Sequence, residues 1–174
     1  MRGVHALLLT GRPGCGKTTV LLQLVEALRG RRVAGFVTQE MRSGGVRQGF
    51  QLTSFDGRQT VMAHVDFPKA HRVGKYGVDV EAIDAAAEAL IAPGSEPEVY
   101  VIDEIGKMEC LSPRFVAAIQ RILDGPAPVV ATIARRGPPF LAEIKQRPDV
   151  VLWEVTADNR DELPGAVLDW LNAR

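Results

Sequence analysis

The chain has 174 residues, of which 46% are hydrophobic and 24% charged, and its formal net charge is zero. This length and composition are ordinary for a globular protein, and we expect one domain over residues 1–174. The zero net charge argues against nucleic acid and anionic membranes as partners, and no apolar run is long enough to span a membrane. The two cysteines, Cys15 and Cys110, do not form a disulfide framework, which favours a reducing, cytoplasmic location.

The first part of the chain alternates between buried extended segments and one helix, and then turns antiparallel. The predicted elements are a buried strand over 4–9, a helix over 17–28, a strand over 33–38, an extended segment over 46–53 and a returning strand over 60–65. Ser43-Gly44-Gly45 is typical of a turn, and Asp56-Gly57 is a strong hairpin signal. We therefore predict an antiparallel meander between residues 36 and 65 that extends an otherwise parallel sheet.

The second part of the chain alternates regularly between helices and strands. Residues 68–78 are predicted to form a basic, flexible loop. The following elements are helices over 80–91, 113–123 and 139–146, strands over 99–102, 129–133 and 150–155, and a last helix that ends near Asn172. Ser112 is predicted to cap the second of these helices and Asp161 the last. This alternation predicts an α/β fold, a mostly parallel sheet flanked by helices on both faces.

A glycine-rich loop separates the first strand from the first helix. It has Walker A spacing, and the predicted nucleotide-binding residues here are Gly11, Arg12, Pro13, Gly14, Cys15, Gly16, Lys17, Thr18 and Thr19. Glycines let successive backbone N–H groups turn toward phosphate oxygens, and the first turn of the helix adds further N–H groups. Lys17 is predicted to reach the β- and γ-phosphates, while the Thr18 hydroxyl is predicted to bind Mg²⁺.

The strand over 99–102 ends in two consecutive acidic residues, Asp103 and Glu104, as in a Walker B motif. Asp103 is predicted to hold Mg²⁺. Glu104 is predicted to orient and polarise an attacking water, the alternative being a structural salt bridge near the metal. Enzymes with this Asp-Glu order mostly hydrolyse nucleoside triphosphates and place an extra strand between the two motif strands. We expect that strand to come from the long gap between Lys17 and Asp103.

Four blocks carry a specific resemblance. They are Ile102–Glu109, Gly35–Arg42 followed by Gly45, Arg47, Gly49 and Phe50, Arg72–Asp79, and Val155–Arg160. Taken in chain order, they resemble the THEP1 family of nucleoside-triphosphatases over nearly the whole chain. The resemblance implies the P-loop NTPase fold and slow, Mg²⁺-dependent hydrolysis of several nucleoside triphosphates to diphosphate and phosphate.

Other polar residues have two interpretations at this stage. Lys107 is either a catalytic cation near the γ-phosphate or a surface lysine. Asn159 and Arg160 either contact the base or ribose, or only cap the last helix. Thr132 is either a γ-phosphate sensor or an ordinary strand residue. Arg42 and Arg47 flank the Gly-Gly turn, where a solvated hairpin is favoured over closure on phosphates. The three histidines, His5, His64 and His71, lack metal-ligand spacing.

Three functions compete on these observations. The first is a stand-alone nucleoside-triphosphatase acting on ATP, GTP, CTP and UTP, with Glu104, Lys17 and Lys107 as its catalytic residues. The second is a small-molecule or nucleotide kinase that uses residues 36–79 as acceptor site or lid, and the Asp103-Glu104 pair argues against it. The third is a switch ATPase whose turnover a partner stimulates. The sequence leaves the base preference, the oligomeric state and the physiological substrate open.

Overall fold

The structure, a computed structural model, describes residues 3–94 and 96–174. The strands in these residues are β1 (Ala6–Thr10), β2 (Val33–Ser43), β3 (Val46–Ser54), β4 (Gln59–His64), β5 (Arg72–Val73), β6 (Tyr76–Val78), β7 (Val99–Ile105), β8 (Val129–Ile133) and β9 (Val150–Glu154). The helices are α1 (Lys17–Ala27), α2 (Val80–Leu90), α3 (Pro113–Asp124), α4 (Pro139–Lys145) and α5 (Leu163–Asn172). A short 3₁₀ turn, Glu109–Leu111, lies between β7 and α3.

All the described strands belong to one sheet with the order β5-β6-β4-β3-β2-β7-β8-β1-β9. The half from β2 to β9 is parallel, whereas β3, β4, β6 and β5 extend it in antiparallel fashion. The predicted mixed α/β architecture with an antiparallel meander is therefore confirmed. The carboxyl ends of parallel strands lie at one edge of the sheet. The glycine-rich loop after β1 and the acidic pair of β7 therefore both lie at that edge.

Helices cover both faces of the parallel half, as the apolar pattern of β1 shows. Ala6 and Leu8 pack in a cluster with buried residues of α2, α3 and α4. Leu7 and Leu9 pack in a second cluster with buried residues of α1 and α5. Because side chains alternate along a strand, a fully apolar β1 requires cover on both faces. No helix in residues 3–94 and 96–174 has the length and apolar character needed to cross a membrane.

The strand that lies between β1 and β7, the strands of the two motifs, is not the one we expected. We expected it to come from the gap between Lys17 and Asp103, but β8 lies there, pairing with β7 on one side and β1 on the other. The strand in that gap, β2, instead pairs with the outer side of β7. The chain connectivity explains this order, because a parallel crossover through α3 places β8 beside β7. β2 then pairs with the other side of β7 and continues into the meander.

The segment over 68–78 is not wholly a loop. It contains the small hairpin β5–β6, which adds to the sheet through pairing of Ala63 with Val78 and of His64 with Gly77. β2 is also longer than predicted and continues to Ser43. Phe36 lies opposite Ile102, so the rest of β2 extends past the carboxyl edge of the parallel strands.

The predicted cap of the last helix is wrong. α5 begins at Leu163 with Glu162 as its N-cap residue, and no side chain caps it. The backbone carbonyl of Asn159 accepts hydrogen bonds from the N–H groups of Glu162 (3.0 Å) and Leu163 (3.1 Å). Asp161 is therefore not required as a cap, because a backbone acceptor already satisfies these N–H groups. The predicted Ser112 cap of α3 is confirmed, its Oγ accepting from the N–H of Phe115 at 3.0 Å.

Candidate active site

The glycine-rich loop joins the end of β1 to the start of α1, the strand–loop–helix context that the motif requires. Gly14 (φ +75°) and Gly16 (φ +106°) adopt backbone conformations that L side chains rarely take. At Gly11 a Cβ would lie 2.6 Å from Cys15 Sγ and 2.7 Å from the carbonyl oxygen of Val155. The loop conformation thus depends on glycine at these three positions, for two different reasons.

Lys17 is held over this loop by its own chain. Its Nζ donates to the carbonyl oxygens of Gly11 at 3.1 Å and Arg12 at 3.4 Å. The ammonium group therefore lies against the backbone of the glycine-rich loop. Its predicted contact with the β- and γ-phosphates stays a prediction.

Asp103 connects the two motifs. The hydroxyl of Thr18 donates to Asp103 Oδ2 at 2.8 Å, and the hydroxyl of Thr132 donates to Oδ1 at 2.7 Å. The backbone N–H of Thr38 is a third donor to this carboxylate. Asp103 is only 2% exposed. Burial raises the pKa of Asp103, while the three hydrogen bonds and the charge of Lys17 act in the opposite direction.

The oxygen atoms of Thr18 and Asp103 are suitable ligands for a magnesium ion. A hydroxyl and a carboxylate, Thr18 Oγ1 and Asp103 Oδ2, lie in contact at the edge of the sheet beside the phosphate loop. Mg²⁺ prefers oxygen ligands and is usually held by one or two protein groups together with waters and substrate phosphates. The described residues contain no cluster of three or more histidine, cysteine or acidic residues that would form an all-protein metal cage. The pair therefore fits a substrate-associated Mg²⁺.

Glu104 lies next to Asp103 in different surroundings. It is partly buried, and the Asp103–Glu104 peptide bond is cis. Burial raises the pKa of Glu104, the negative charge of Asp103 raises it further, and Lys17 lowers it. A carboxylate with a raised pKa at the carboxyl edge of the sheet has the properties of a general base.

Lys107 and the loop after β8 form an open pocket beside the turn that follows Glu104. Lys107 is exposed, and its Cγ lies 3.5 Å from where a Cβ on Gly137 would be. The pocket has a volume of about 370 Å³ and is lined by Val73, Lys107, Leu111, Arg136, Gly137 and Pro138. Lys107 is thus at the same edge as Glu104, and both of its interpretations remain predictions.

The two candidates after β9 are placed differently from each other. Asn159 Oδ1 accepts from the N–H of Thr156 at 2.8 Å, and its Nδ2 donates to the carbonyl of Glu154 at 2.8 Å. Its side chain therefore closes a turn. Arg160 is exposed and packs on the phosphate loop, with Cδ 3.2 Å from where a Cβ on Gly16 would be. The structure thus brings Arg160, rather than the Asn159 amide, to the loop.

Several of the other polar residues considered in the sequence form contacts that account for their positions. Arg42 and Arg47 both pair with Glu40 on the β2–β3 hairpin, with Arg42 Nη2 at 2.7 Å from its carboxylate. This favours the solvated-hairpin interpretation. His5 bonds the carbonyl of Leu123 through Nε2 at 2.8 Å, and His64 lies 3.6 Å from Asp66. The Thr132 hydroxyl is engaged by Asp103, which gives it a role in fixing that carboxylate.

Glu109 is a residue of the site that the sequence did not single out. It is 4% exposed and lies in the 3₁₀ turn, with its carboxyl group close to that of Glu104. In the sequence it appears only as the last residue of the block Ile102–Glu109 that carries the family resemblance. No spacing or periodicity marks a single glutamate in a turn as buried. Its burial follows from the packing of the turn against β7 and α3.

Comparison with known proteins agrees with this geometry. A family model described as NTPase matches residues 6–168. Nucleoside-triphosphatase THEP1 of Thermofilum pendens is 47% identical over 163 residues, with 90% of each chain covered. The protein of the same name from Thermotoga maritima is 39% identical over 166 residues, covering 95% of this chain and 94% of the relative.

Solved structures give the same result. The crystal structure of THEP1 from Aquifex aeolicus has a TM-score of 0.87 at 37% identity, and the match covers 95% of this chain and 98% of that one. The solution structure of a human cancer-related nucleoside triphosphatase has a TM-score of 0.84 at 34% identity and covers 97% and 98% of the two chains. The sheet, the phosphate loop and this agreement over nearly the full length show that the chain belongs to the THEP1 family of P-loop nucleoside-triphosphatases.

Proposed function

We propose that this protein hydrolyses nucleoside 5′-triphosphates to diphosphate and phosphate in a Mg²⁺-dependent reaction. The observation that carries the proposal is the 2.8 Å hydrogen bond between Thr18 and Asp103, which joins the phosphate loop to the acidic strand with Glu104 beside it. The names of the relatives, nucleoside-triphosphatase THEP1, support the same activity.

In this proposal the phosphate loop binds the triphosphate and the acidic strand serves the reaction. Backbone N–H groups of residues 11–19 bind phosphate oxygens, and Lys17 binds the β- and γ-phosphates. Thr18 and Asp103 would hold Mg²⁺, which would neutralise charge on the phosphates. Arg160, packed on Gly16, adds a positive charge at the loop. Lys107 supplies a further cation at the edge that carries Glu104.

Glu104 is proposed as the base. The oxygen of a water molecule attacks the γ-phosphorus, the bond from that phosphorus to the β–γ bridging oxygen breaks, and the diphosphate leaves with the bond electrons. Glu104 orients the water and accepts its proton. Turnover is expected to be slow, because the cations beside the γ-phosphate, Lys107 and Arg160, are exposed and unfixed by ion pairs within the described residues.

Phosphate release tests this proposal directly. Purified protein, Mg²⁺ and nucleotide, with no acceptor added, should release phosphate. Glu104→Gln keeps the size of the side chain but removes its charge, so kcat should fall by about 10²- to 10⁴-fold, or roughly 3–5 kcal/mol of barrier, while nucleotide Kd is unchanged. Lys17→Ala should instead weaken nucleotide binding as well as turnover.

The matched control is Glu143→Gln, which removes the charge of an exposed glutamate on α4 and should leave both quantities at their wild-type values. Wild-type turnover in Glu104→Gln would show that Glu104 is not the base and that the proposed mechanism is wrong.

The kinase alternative has one observation in its favour. The 370 Å³ pocket beside Lys107 has the size of a small-molecule site and would be the place for a phosphate acceptor. The same assay separates the two functions, because a kinase would release little phosphate without an acceptor. Strong stimulation by an added protein would favour the switch ATPase.

A further inference from the structure

Glu109 is a buried acid that the proposed hydrolysis does not use. Its turn is closed by backbone hydrogen bonds from Cys110 to Gly106 (3.0 Å) and from Ser112 to Glu109 (3.1 Å). The carboxyl group of Glu109 accepts from the N–H groups of Gly106 and of Glu109 itself. These contacts fix the side chain inside the turn, where it is 4% exposed. Burying a carboxyl group costs free energy of folding unless its polar atoms interact with other polar groups.

The partner that the geometry offers is Glu104. A Cβ on Gly106 would lie 2.7 Å from Glu104 Oε1 and 3.0 Å from Glu109 Oε2. The two oxygens therefore lie within about 6 Å of each other, and both border the space that a side chain on Gly106 would occupy. Gly106 has an ordinary φ, so it is the crowding by these two side chains that favours glycine at this position.

The charge state of Glu109 is compatible with this approach. Burial raises the pKa of Glu109 to about 8, and the charges of Glu104 and Asp103 contribute in the same direction. Near neutral pH Glu109 is therefore mostly protonated, and it faces Glu104 without repulsion between two charges. A protonated carboxyl group can also donate a hydrogen bond, whereas a carboxylate cannot.

We infer that Glu109 is a positioning residue that holds the carboxylate of Glu104 in the orientation needed to receive a proton from the attacking water. This inference rests on the proposed hydrolysis with Glu104 as base. Glu109 acts through Glu104 and touches no nucleotide. The turn fixes Glu109 by two backbone hydrogen bonds, and Glu109 in turn limits the rotation of the Glu104 side chain over Gly106.

The test compares two substitutions of Glu109 by kcat and nucleotide Kd. Glu109→Met keeps the volume but cannot hydrogen-bond to Glu104, so kcat should fall by about 10- to 100-fold with Kd unchanged, the effect expected of a misplaced base. Glu109→Gln is neutral and can still accept from the turn and donate to Glu104, so it should retain a kcat close to wild type. Loss of activity in Glu109→Gln equal to that in Glu109→Met would overturn the inference.

A structural role is excluded by a control and a second variant. Ser112→Ala removes the cap of α3 beside the same turn, so it should lower the melting temperature without lowering kcat at a temperature where it is folded. Gly106→Ala, with Glu109 intact, should displace Glu104 directly, and its fall in kcat gives the size of effect expected of a misplaced base. If Glu109→Met does not fold, Glu109→Leu is measured in its place, and unchanged kcat in it contradicts the inference.

A double-mutant cycle separates this inference from the proposed function. In a Glu104→Gln background, Glu109→Met should lower kcat no further, because both changes act on the same step. Additive losses would show that Glu109 acts independently of Glu104 and would overturn the inference alone. A wild-type rate in Glu104→Gln itself would instead overturn the proposed function.

Discussion

Asp103 and Glu104 are consecutive residues whose surroundings suit two different tasks. The Asp103 carboxylate receives hydrogen bonds from Thr18, Thr132 and the backbone of Thr38, which favour its ionised form. Glu104 receives no hydrogen bond from a backbone N–H or a hydroxyl group among the described residues, and burial and neighbouring charges shift its pKa. Such donors favour the ionised form of a carboxylate and suit a metal ligand, whereas a carboxylate with fewer donors is the better proton acceptor.

At the same scale, Glu109 makes stability depend on pH. Its pKa is about 8 in the folded protein, against an ordinary value of 4.5. Between these values the unfolded chain has lost the proton and the folded protein still holds it, so stability falls as pH rises, by at most about 1.4 kcal/mol per pH unit for this group. The contribution is fully present below pH 4.5 and is lost once pH passes the folded pKa.

We therefore expect Glu109→Gln to lose less stability than the wild-type protein between pH 6 and pH 9, since glutamine does not titrate. Urea unfolding of both proteins at the two pH values measures this difference. Asp103 and Glu104 are present in both proteins, so the difference reports the titration of Glu109 together with its effect on these neighbours. An equal loss in both proteins would show that Glu109 is ionised in the folded state at pH 6.

At the scale of elements, β2 has two functions in the sheet. Residues 33–36 pair in parallel with β7, and residues 36–43 pair in antiparallel fashion with β3. Gly35 lies directly before the residue that both pairings share, with φ +134°, and a Cβ there would be 1.8 Å from the carbonyl oxygen of Val101. Only glycine allows β2 to approach the acidic strand this closely.

Gly35→Ala should therefore destabilise the protein by about 2–4 kcal/mol, because the added methyl group meets backbone that cannot move aside and the φ value is strained. Gly44→Ala is the matched control. Its φ is +58° and nothing lies within 4 Å of its Cβ position, so we expect a cost of only about 1–2 kcal/mol. Equal unfolding free energies for the two variants would contradict the contact with Val101.

The elements also show how far sequence reasoning reaches. The turns at Ser43–Gly45 and Asp56–Gly57 follow from local chemistry, and glycines with positive φ occupy both. The hairpin β5–β6 was not predicted, because strands of two and three residues have no periodicity and form only by pairing with an existing edge. The position of β8 between β7 and β1 was also beyond prediction, since strand order is decided by tertiary packing.

In the candidate site, too, some features follow from the sequence and others depend on tertiary structure. Walker spacing predicts which residues would meet, and the structure places Lys17, Thr18 and Asp103 together. Asp103 also has partners on other strands, namely Thr132 and the backbone of Thr38. These contacts depend on how the strands are paired, so the spacing of residues along the sequence does not predict them. Glu109 was missed for the related reason that burial of a carboxyl group depends on the packing of its turn.

At the scale of the whole molecule, several cations without ion pairs in the described part of the chain lie at the edge of the sheet that carries the candidate site. Arg12, Lys107, Arg136 and Arg160 are exposed at the carboxyl edge of the parallel strands and form no ion pair within residues 3–94 and 96–174. Elsewhere most arginines pair with acidic residues, as Arg147 does with Asp149 at 2.8 Å. These charges would contribute to attracting a polyanionic ligand to this edge.

In the proposed function these cations bind phosphate, so we expect weak discrimination between bases. A base is bound specifically only where buried polar groups match its edge. Measured kcat/KM values for ATP, GTP, CTP and UTP should lie within about 10²-fold of one another. A preference above roughly a thousandfold, about 4 kcal/mol, would reveal a dedicated base pocket.

The strand order also sets when the site can form during synthesis. β1 pairs only with β8 and β9 among the described strands, and these begin more than a hundred residues later. The meander of β2, β3 and β4 has its partners close by and can assemble early. On the ribosome the sheet around the phosphate loop therefore cannot be completed until residues 129–154 have been synthesised, and the contact between Thr18 and Asp103 is expected to form only then.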